Sequence, residues 1–321
     1  MHYQDLAIYT PSGTTSAPKG VCHTDGTLIA AGAALADAIG ATSEDIGTIL
    51  FPYAHIGGPD LLITSLLTGM SLVVMEVYEP VAAVELMRQT GVTITGGSTP
   101  HYALLLQEQR KNPDTPVVPT LRMVTGGGAP MPEQLFRDVL TEVGVPVLHA
   151  YGMTECPMIT SARMSDSVEQ LAGTSGRPVL GCEVQIRSEQ DDVLSAGEEG
   201  RVWLRGPMLF KHYCTDGGIV RPFDADGWLF TGDIGKLGAD GIKALIHADQ
   251  LANVVLVPSG VHFDFQADPP LVSEDQQHVM GGIQFVINSG VGQDQQNRDC
   301  DLNAVEHQHG SHRQHHLVRH Q

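Results

Sequence analysis

Basic residues are scarce: 18 Lys and Arg stand against 37 Asp and Glu, for a formal charge of −19 over 321 residues. Like charges repel, and no Lys/Arg block offsets them locally, so a nucleic-acid backbone and an anionic membrane surface are disfavoured as partners. A small anion such as a nucleotide stays admissible, because amides, one lysine and a metal ion outweigh the global field at short range. Apolar runs are short. None approaches the roughly 18 residues that suggest a membrane span, and residues 1–30 lack a basic stretch followed by a long apolar one. Cysteine is sparse as well. Cys22, Cys156, Cys182, Cys214 and Cys300 are scattered and never spaced as CxxC. That spacing indicates neither a disulfide framework nor a zinc site, and a reducing cytoplasmic setting fits best.

What is present reads as a loop-rich globular enzyme of α/β class, with 42% apolar residues, 36 Gly and 19 Pro. From residue 5 to about residue 241, short β-like runs alternate with helical patterns, which predicts layered, mixed sheets flanked by helices. SLVVMEV (71–77) reads as a strand, VAAVELMRQTG (81–91) as a helix closed by Gly91, and VTIT (92–95) as the next strand. LRMVTGGG (121–128) leads through Pro130 and Pro132 into a helix whose Leu135, Phe136, Val139, Leu140 and Val143 share one face, and VPVLHA (145–150) follows as a strand. Beyond Leu171, strands such as CEVQIR (182–187) and GRVWLR (200–205) predict a small β-rich subdomain. Residues 242–321 differ again: they hold 9 of the 15 histidines, 11 glutamines and a single lysine, Lys243. The predicted division is therefore 1–170, 171–241 and an atypical, poorly ordered tail, 242–321, with a His-rich metal-binding tract as the alternative for the tail.

YTPSGTTSAPKGV (9–21) gathers hydroxyls, small residues and Lys19 between a short apolar run and a helical segment. Such a loop offers amides and hydroxyls to a polyphosphate and a cation to its charge. It is not the P-loop of nucleotide hydrolases, because Pro18 and Gly20 flank the lysine where that pattern needs Gly and Ser/Thr. Alone, its hydroxyl cluster also fits a polar loop capping a helix. Three further segments follow in order: GGGAP (126–130) between a strand and a helix, YGMTE (151–155) after VPVLHA, and WLFTGD (228–233) after a DADG turn. An aromatic face, a hydroxyl and a hard carboxylate in YGMTE suit a base, a phosphate oxygen and Mg²⁺ respectively.

Together these four segments resemble the signature of the adenylate-forming superfamily, which includes acyl-CoA synthetases, luciferases and peptide-synthetase adenylation domains. The resemblance covers residues 5–241; Pro11 and Ser16 depart from the family loop, which reads approximately YTSGTTGxPKGV. It implies that Ser12, Gly13, Thr14, Thr15 and Lys19 hold the β- and γ-phosphates of ATP, and that the GGGAP backbone (Gly128, Ala129, Pro130) lies along adenine. Tyr151 stacks on the base, Thr154 binds the α-phosphate, Glu155 holds Mg²⁺, and Asp233 accepts from the ribose hydroxyls. By the same resemblance, FPYAHIGG (51–58) and GGSTPHY (96–102) border an acyl pocket, with His55, Gly97 and His101 facing it.

The implied reaction joins a carboxylic acid to AMP and then to a thiol such as CoA. Two features of that family are missing from the sequence: its basic hinge is unrecognisable in IKALIHADQLANV (242–254), and no lysine follows Lys243 to serve as the C-terminal catalytic lysine. The segment that precedes the phosphate loop in the family is absent too. The expectation is an incomplete large domain, with a nucleotide-binding remnant without turnover, or a His-rich metal-binding protein, as the alternatives.

Overall fold

Thr24 is the hinge between the predicted phosphate-loop segment and the first helix. In the computed structural model it ends strand β2 (Lys19–Thr24), which pairs with β1 (Asp5–Thr10), and its side chain accepts from Thr27 N to cap helix α1 (Asp25–Ile39). Gly40 closes the helix in the left-handed conformation. The structure describes residues 5–10, 19–51, 53–75, 78–238, 244–247, 279–280 and 283–284, with side chains in the three longest stretches. Ser12, Gly13, Thr14 and Thr15, and nearly all of the tail, lie outside the described residues.

The predicted strand and helix alternation becomes one large sheet. Its parallel strands are β3 (Ile46–Ile49), β4 (Ser71–Val74), β5 (Ile94–Gly97), β6 (Met123–Gly126) and β7 (Val147–Met153). Each pair of parallel strands needs a crossover, and the chain supplies α2 (Gly57–Thr68), α3 (Pro80–Thr90), α4 (Thr99–Lys111) and α5 (Glu133–Asp138), the last continued by a π-helical turn, Val139–Val143. Two antiparallel strands, β8 (Cys156–Ser161) and β9 (Arg177–Pro178), extend the sheet on either side of α6 (Val168–Gly173), giving the order β4-β3-β5-β6-β7-β8-β9. Helix α3 ends at Gly91 as its sequence predicts. The strand expected over 92–95 starts two residues later, because Thr93 is used at the strand mouth, where its hydroxyl donates to Asp45 Oδ1 at 2.8 Å. On the helix after GGGAP, Phe136 and Val139 are fully buried, while Leu135, Leu140 and Val143 pack against the core partly exposed.

At the N-terminal edge of the parallel strands, Asp45 gathers donors from three directions. Arg122 Nε and Nη2 reach it at 2.7 and 2.9 Å, Thr42 N at 2.9 Å and Thr93 Oγ1 at 2.8 Å. Burial alone would raise its pKa, but the hydrogen bonds from Arg122, Thr42 and Thr93 prevail and hold the carboxyl at about 2. This knot ties the starts of β3, β5 and β6 together.

The β-rich segment after α6 contains β10 (Glu183–Arg187), β11 (Gly200–Arg205), β12 (His212–Thr215), β13 (Gly218–Val220), β14 (Leu229–Leu237) and β15 (Ala244–His247). It serves two sheets. Strands β10-β11-β14-β15 form one, whereas β12 and β13 pair onto β2 in the order β1-β2-β12-β13. All the described elements fall within one unit, Met1–Gln284. Among the described residues, no helix is long and apolar enough to cross a membrane.

Candidate functional site

The YGMTE segment forms a tight hairpin. Tyr151 and Met153 belong to β7, the turn is Thr154-Glu155, and Met153 pairs with Cys156 at the start of β8. Three contacts hold that turn. The Thr154 carbonyl lies 2.7 Å from His23 Nε2, the Glu155 carbonyl accepts from Phe210 N at 2.9 Å, and Glu155 Oε1 accepts from the Tyr213 hydroxyl at 2.7 Å. His23 is fully buried, and burial pulls its pKa below the ordinary value despite the opposing bond to Thr154, so the ring is neutral. A carbonyl only accepts; hence Nε2 carries the proton, and Nδ1 is left to accept from the Thr27 hydroxyl 2.9 Å away.

Strand β2 presents Lys19, Val21 and His23 on one face, as period-2 alternation requires. Across the ladder, Tyr213 pairs with Val21 on that same face, and Lys19 Nζ stands 5.2 Å from the centre of the Tyr213 ring. A cation over an aromatic face is favourable. Tyr213 thus bridges Lys19 to Glu155. Its phenol pKa is raised, first by burial and then by the Glu155 charge, so it stays a hydrogen-bond donor.

On the other flank of the hairpin, the Tyr151 hydroxyl donates to Asp233 Oδ2. Asp233 lies within β14, where the amide of Asp233 donates to Thr231 Oγ1 at 3.0 Å. Burial raises the Asp233 pKa, and the Tyr151 hydrogen bond works against that rise. Lys19 is thus linked to Glu155 through Tyr213, Tyr151 bonds Asp233 directly, and the 151–155 hairpin carries Tyr151, Thr154 and Glu155 on one segment.

The GGGAP segment lies alongside. Gly126 has φ 135°, and a Cβ there would fall 1.8 Å from Gly97 O; a Cβ at Gly127 would fall 2.0 Å from Ala150 O. No side chain fits either position, so bare backbone is wedged between the ends of β5 and β7. The carbonyls of Ala129 and Pro130 accept from Thr99 Oγ1 at 3.4 and 2.9 Å. A Cβ on Gly128 would lie 3.6 Å from His55 Nε2, which brings the predicted acyl-side residues next to the glycine strip.

His55 stacks on Phe51 with ring centres 4.9 Å apart, and its Nδ1 accepts from Gly57 N at 3.1 Å. His101 follows Gly97 and Ser98 in the first turn of α4, and its Nδ1 accepts from Ser98 N at 3.1 Å. That bond places the proton on Nε2, which is buried and has no hydrogen-bond partner among the described residues. Burial lowers the His101 pKa to about 4, so the ring is neutral near pH 7. Tyr78 meets it edge-on at 5.1 Å. Asp60, in the first turn of α2, is buried with Oδ1 unpartnered among the described residues, and burial pushes its pKa to about 7.

Four of these residues escaped the sequence reading. His23 and Tyr213 lie outside the four motifs, and their roles come from pleat and register. Phe210 contributes a backbone amide, which leaves no side-chain signature. Asp60 carried a signal, an acid within an apolar helical run. The cysteine spacing gave no sign that the β2–β12 ladder brings Cys22 and Cys214 together, their sulfurs 2.9 Å apart.

The donor set suits ATP with Mg²⁺. A carboxylate, a side-chain-free backbone strip, a lysine and a hard carboxylate are the donor types that a diol, a base, a phosphate and a hydrated divalent cation call for. The family profile for AMP-binding enzymes matches residues 5–214. The chain is 32% identical over 235 residues to a 2-succinylbenzoate--CoA ligase of Bacillus subtilis, covering 73% of this chain and 46% of that one. Among solved structures, the Bacillus subtilis O-succinylbenzoate Coenzyme A synthetase in complex with ATP and magnesium ion matches with a TM-score of 0.64 and 29% identity, over 75% of this chain and 49% of that one. A malonyl-CoA ligase ternary product complex with methylmalonyl-CoA and AMP matches with a TM-score of 0.66 and 30% identity, over 75% and 52%. The chain thus spans about half the length of the relatives it matches. Motif order, the layered α/β fold and these matches agree, and the chain belongs to the AMP-binding enzyme family of adenylate-forming proteins.

Proposed function

We propose that this chain supplies the nucleotide- and acyl-binding part of an ATP-dependent acid–thiol ligase of the acyl-CoA synthetase type. In the first half-reaction a carboxylate oxygen attacks the α-phosphorus of ATP; the new C–O–P linkage is the acyl-adenylate, and pyrophosphate leaves with the electron pair. In the second, a thiolate such as that of CoA attacks the acyl carbon and AMP leaves. Two anions must meet in the first step, so the barrier is largely electrostatic and positional. Lys19 offsets phosphate charge, with Ser12, Gly13, Thr14 and Thr15 of the loop beside it in sequence, and Thr154 offers a hydroxyl at the α-phosphate. Asp233 orients the ribose and Tyr151 the base, while His55, Gly97 and His101 border the acid. Mg²⁺ held at Glu155 supplies further charge neutralisation when bound.

The observation that supports this reading most is the chain of contacts Lys19–Tyr213–Glu155 beside the Tyr151–Asp233 bond. Residues 1–170 then form the nucleotide and acyl region, and 171–241 the β-rich region, of which β12 serves the nucleotide side through Tyr213. Pyrophosphate exchange into ATP, run with a panel of acids that includes 2-succinylbenzoate, malonate, methylmalonate and fatty acids, tests it: exchange with one acid class is expected. The second reading is nucleotide binding without turnover. Calorimetric ATP binding without exchange for any acid selects that reading, and absence of both refutes the two together.

A further inference from the structure

The face of β2 that carries Lys19, Val21 and His23 belongs to the nucleotide site; the opposite face carries a different chemistry. His212 pairs with Cys22 across the β2–β12 ladder, and Cys214 pairs with Gly20. Residues directly opposite in a ladder share a face, and so do residues i and i+2 on one strand. Cys22, His212 and Cys214 therefore lie together on the reverse of the sheet, and one ligand atom from each falls within 4.8 Å of the others. Cys22 and His212 are buried, and Cys214 is half-buried, which leaves the group accessible from one side. Gly20, opposite Cys214, adds no side chain to fill the space.

We propose that Cys22, His212 and Cys214 form a binding site for a thiophilic divalent cation, zinc by preference. Two thiolates and an imidazole are the donor set that zinc selects, and hard cations such as Mg²⁺ prefer oxygen. Zinc holds sulfur at about 2.3 Å and imidazole nitrogen at about 2.0 Å, so ligand atoms around one tetrahedral ion sit roughly 3.5 Å apart. The present separations, 2.9 Å between the sulfurs and at most 4.8 Å overall, reach that geometry by small side-chain rotations. Three protein ligands leave the fourth position to water or a small anion. An ion there ties β2 to β12 from behind the face that presents Lys19 and Tyr213.

The test uses the full chain under reductant, with Co²⁺ as spectroscopic stand-in for zinc. One equivalent is expected to produce a thiolate-to-cobalt charge-transfer band that zinc displaces stoichiometrically. The band is expected to be lost in the double variant Cys22→Ser/Cys214→Ser, altered in His212→Gln, and retained in Cys156→Ser/Cys182→Ser. On the unmodified protein, zinc should protect Cys22 and Cys214, located by peptide mapping, from alkylation; this arm remains decisive where a variant fails to fold. Metal binding without a thiolate band, as the His-rich tail alone would give, overturns the proposal. So does a band indifferent to the double variant, or a Cys22–Cys214 disulfide that persists under reductant and zinc.

Discussion

The two edges of the parallel sheet are built on opposite principles. At the N-terminal edge, Asp45 is surrounded by donors from Arg122, Thr42 and Thr93. At the C-terminal edge, the chain leaves bare glycine backbone at 126–127, an unpartnered buried Nε2 on His101 and an unpartnered buried Oδ1 on Asp60 among the described residues. The saturated edge stabilises the fold. The unsaturated edge is where ligands bind in open α/β sheets, because polar groups kept without partners are available to a substrate.

The contrast breaks most readily at Asp60. Its folded pKa, about 7, lies above its unfolded value, so the folded state holds the proton more tightly. The stability this contributes is complete below about pH 4 and lost as pH rises through 7, on the order of 4 kcal/mol. Asp60→Asn is expected to flatten that loss, read as urea midpoints from pH 4 to pH 8; parallel profiles for variant and parent would contradict the assignment of Asp60 to the unsaturated edge.

Next in size is Glu155→Gln, which keeps the shape and removes the charge. Pyrophosphate exchange is expected to fall about a hundredfold or more, roughly 3 kcal/mol, with ATP binding in the absence of Mg²⁺ little changed. An exchange rate within a factor of three of the parent would remove Glu155 from the metal role.

At the saturated edge the pH dependence runs the other way. Asp45, held at about 2, contributes stability that is present above its unfolded pKa near 4 and lost as pH falls through 2. Asp45→Asn is expected to cost roughly 2 kcal/mol at pH 7 and almost nothing at pH 2, measured by thermal unfolding, with exchange activity at pH 7 unaffected below the melting range. The smallest effect is expected at Tyr213→Phe. Losing one hydrogen bond to Glu155 should slow exchange about tenfold, near 1.4 kcal/mol, without lowering Tm by more than a few degrees.

The motif strings of the candidate site were legible in the sequence, whereas Asp60 and the saturated edge were not. YGMTE, GGGAP and WLFTGD are contiguous strings whose chemistry is local, and Gly91 announced the end of α3. Asp45 and Arg122 are 77 residues apart and each is unremarkable alone. Tyr213 and His23 lacked a signal for the same reason: what makes them part of the site is the β2–β12 register. The VTIT strand was misplaced by two residues because an isolated β-branched run does not reveal that Thr93 is taken by Asp45.

Calorimetry of ATP and AMP against the parent, Lys19→Ala and Asp233→Ala tests the central claim, that these residues enclose one nucleotide. One ATP per chain is expected. Asp233→Ala should weaken ATP and AMP alike through the ribose, whereas Lys19→Ala should weaken ATP and spare AMP, which lacks the β- and γ-phosphates. No saturable ATP binding by the parent, or equal affinities across all three proteins, would contradict the account.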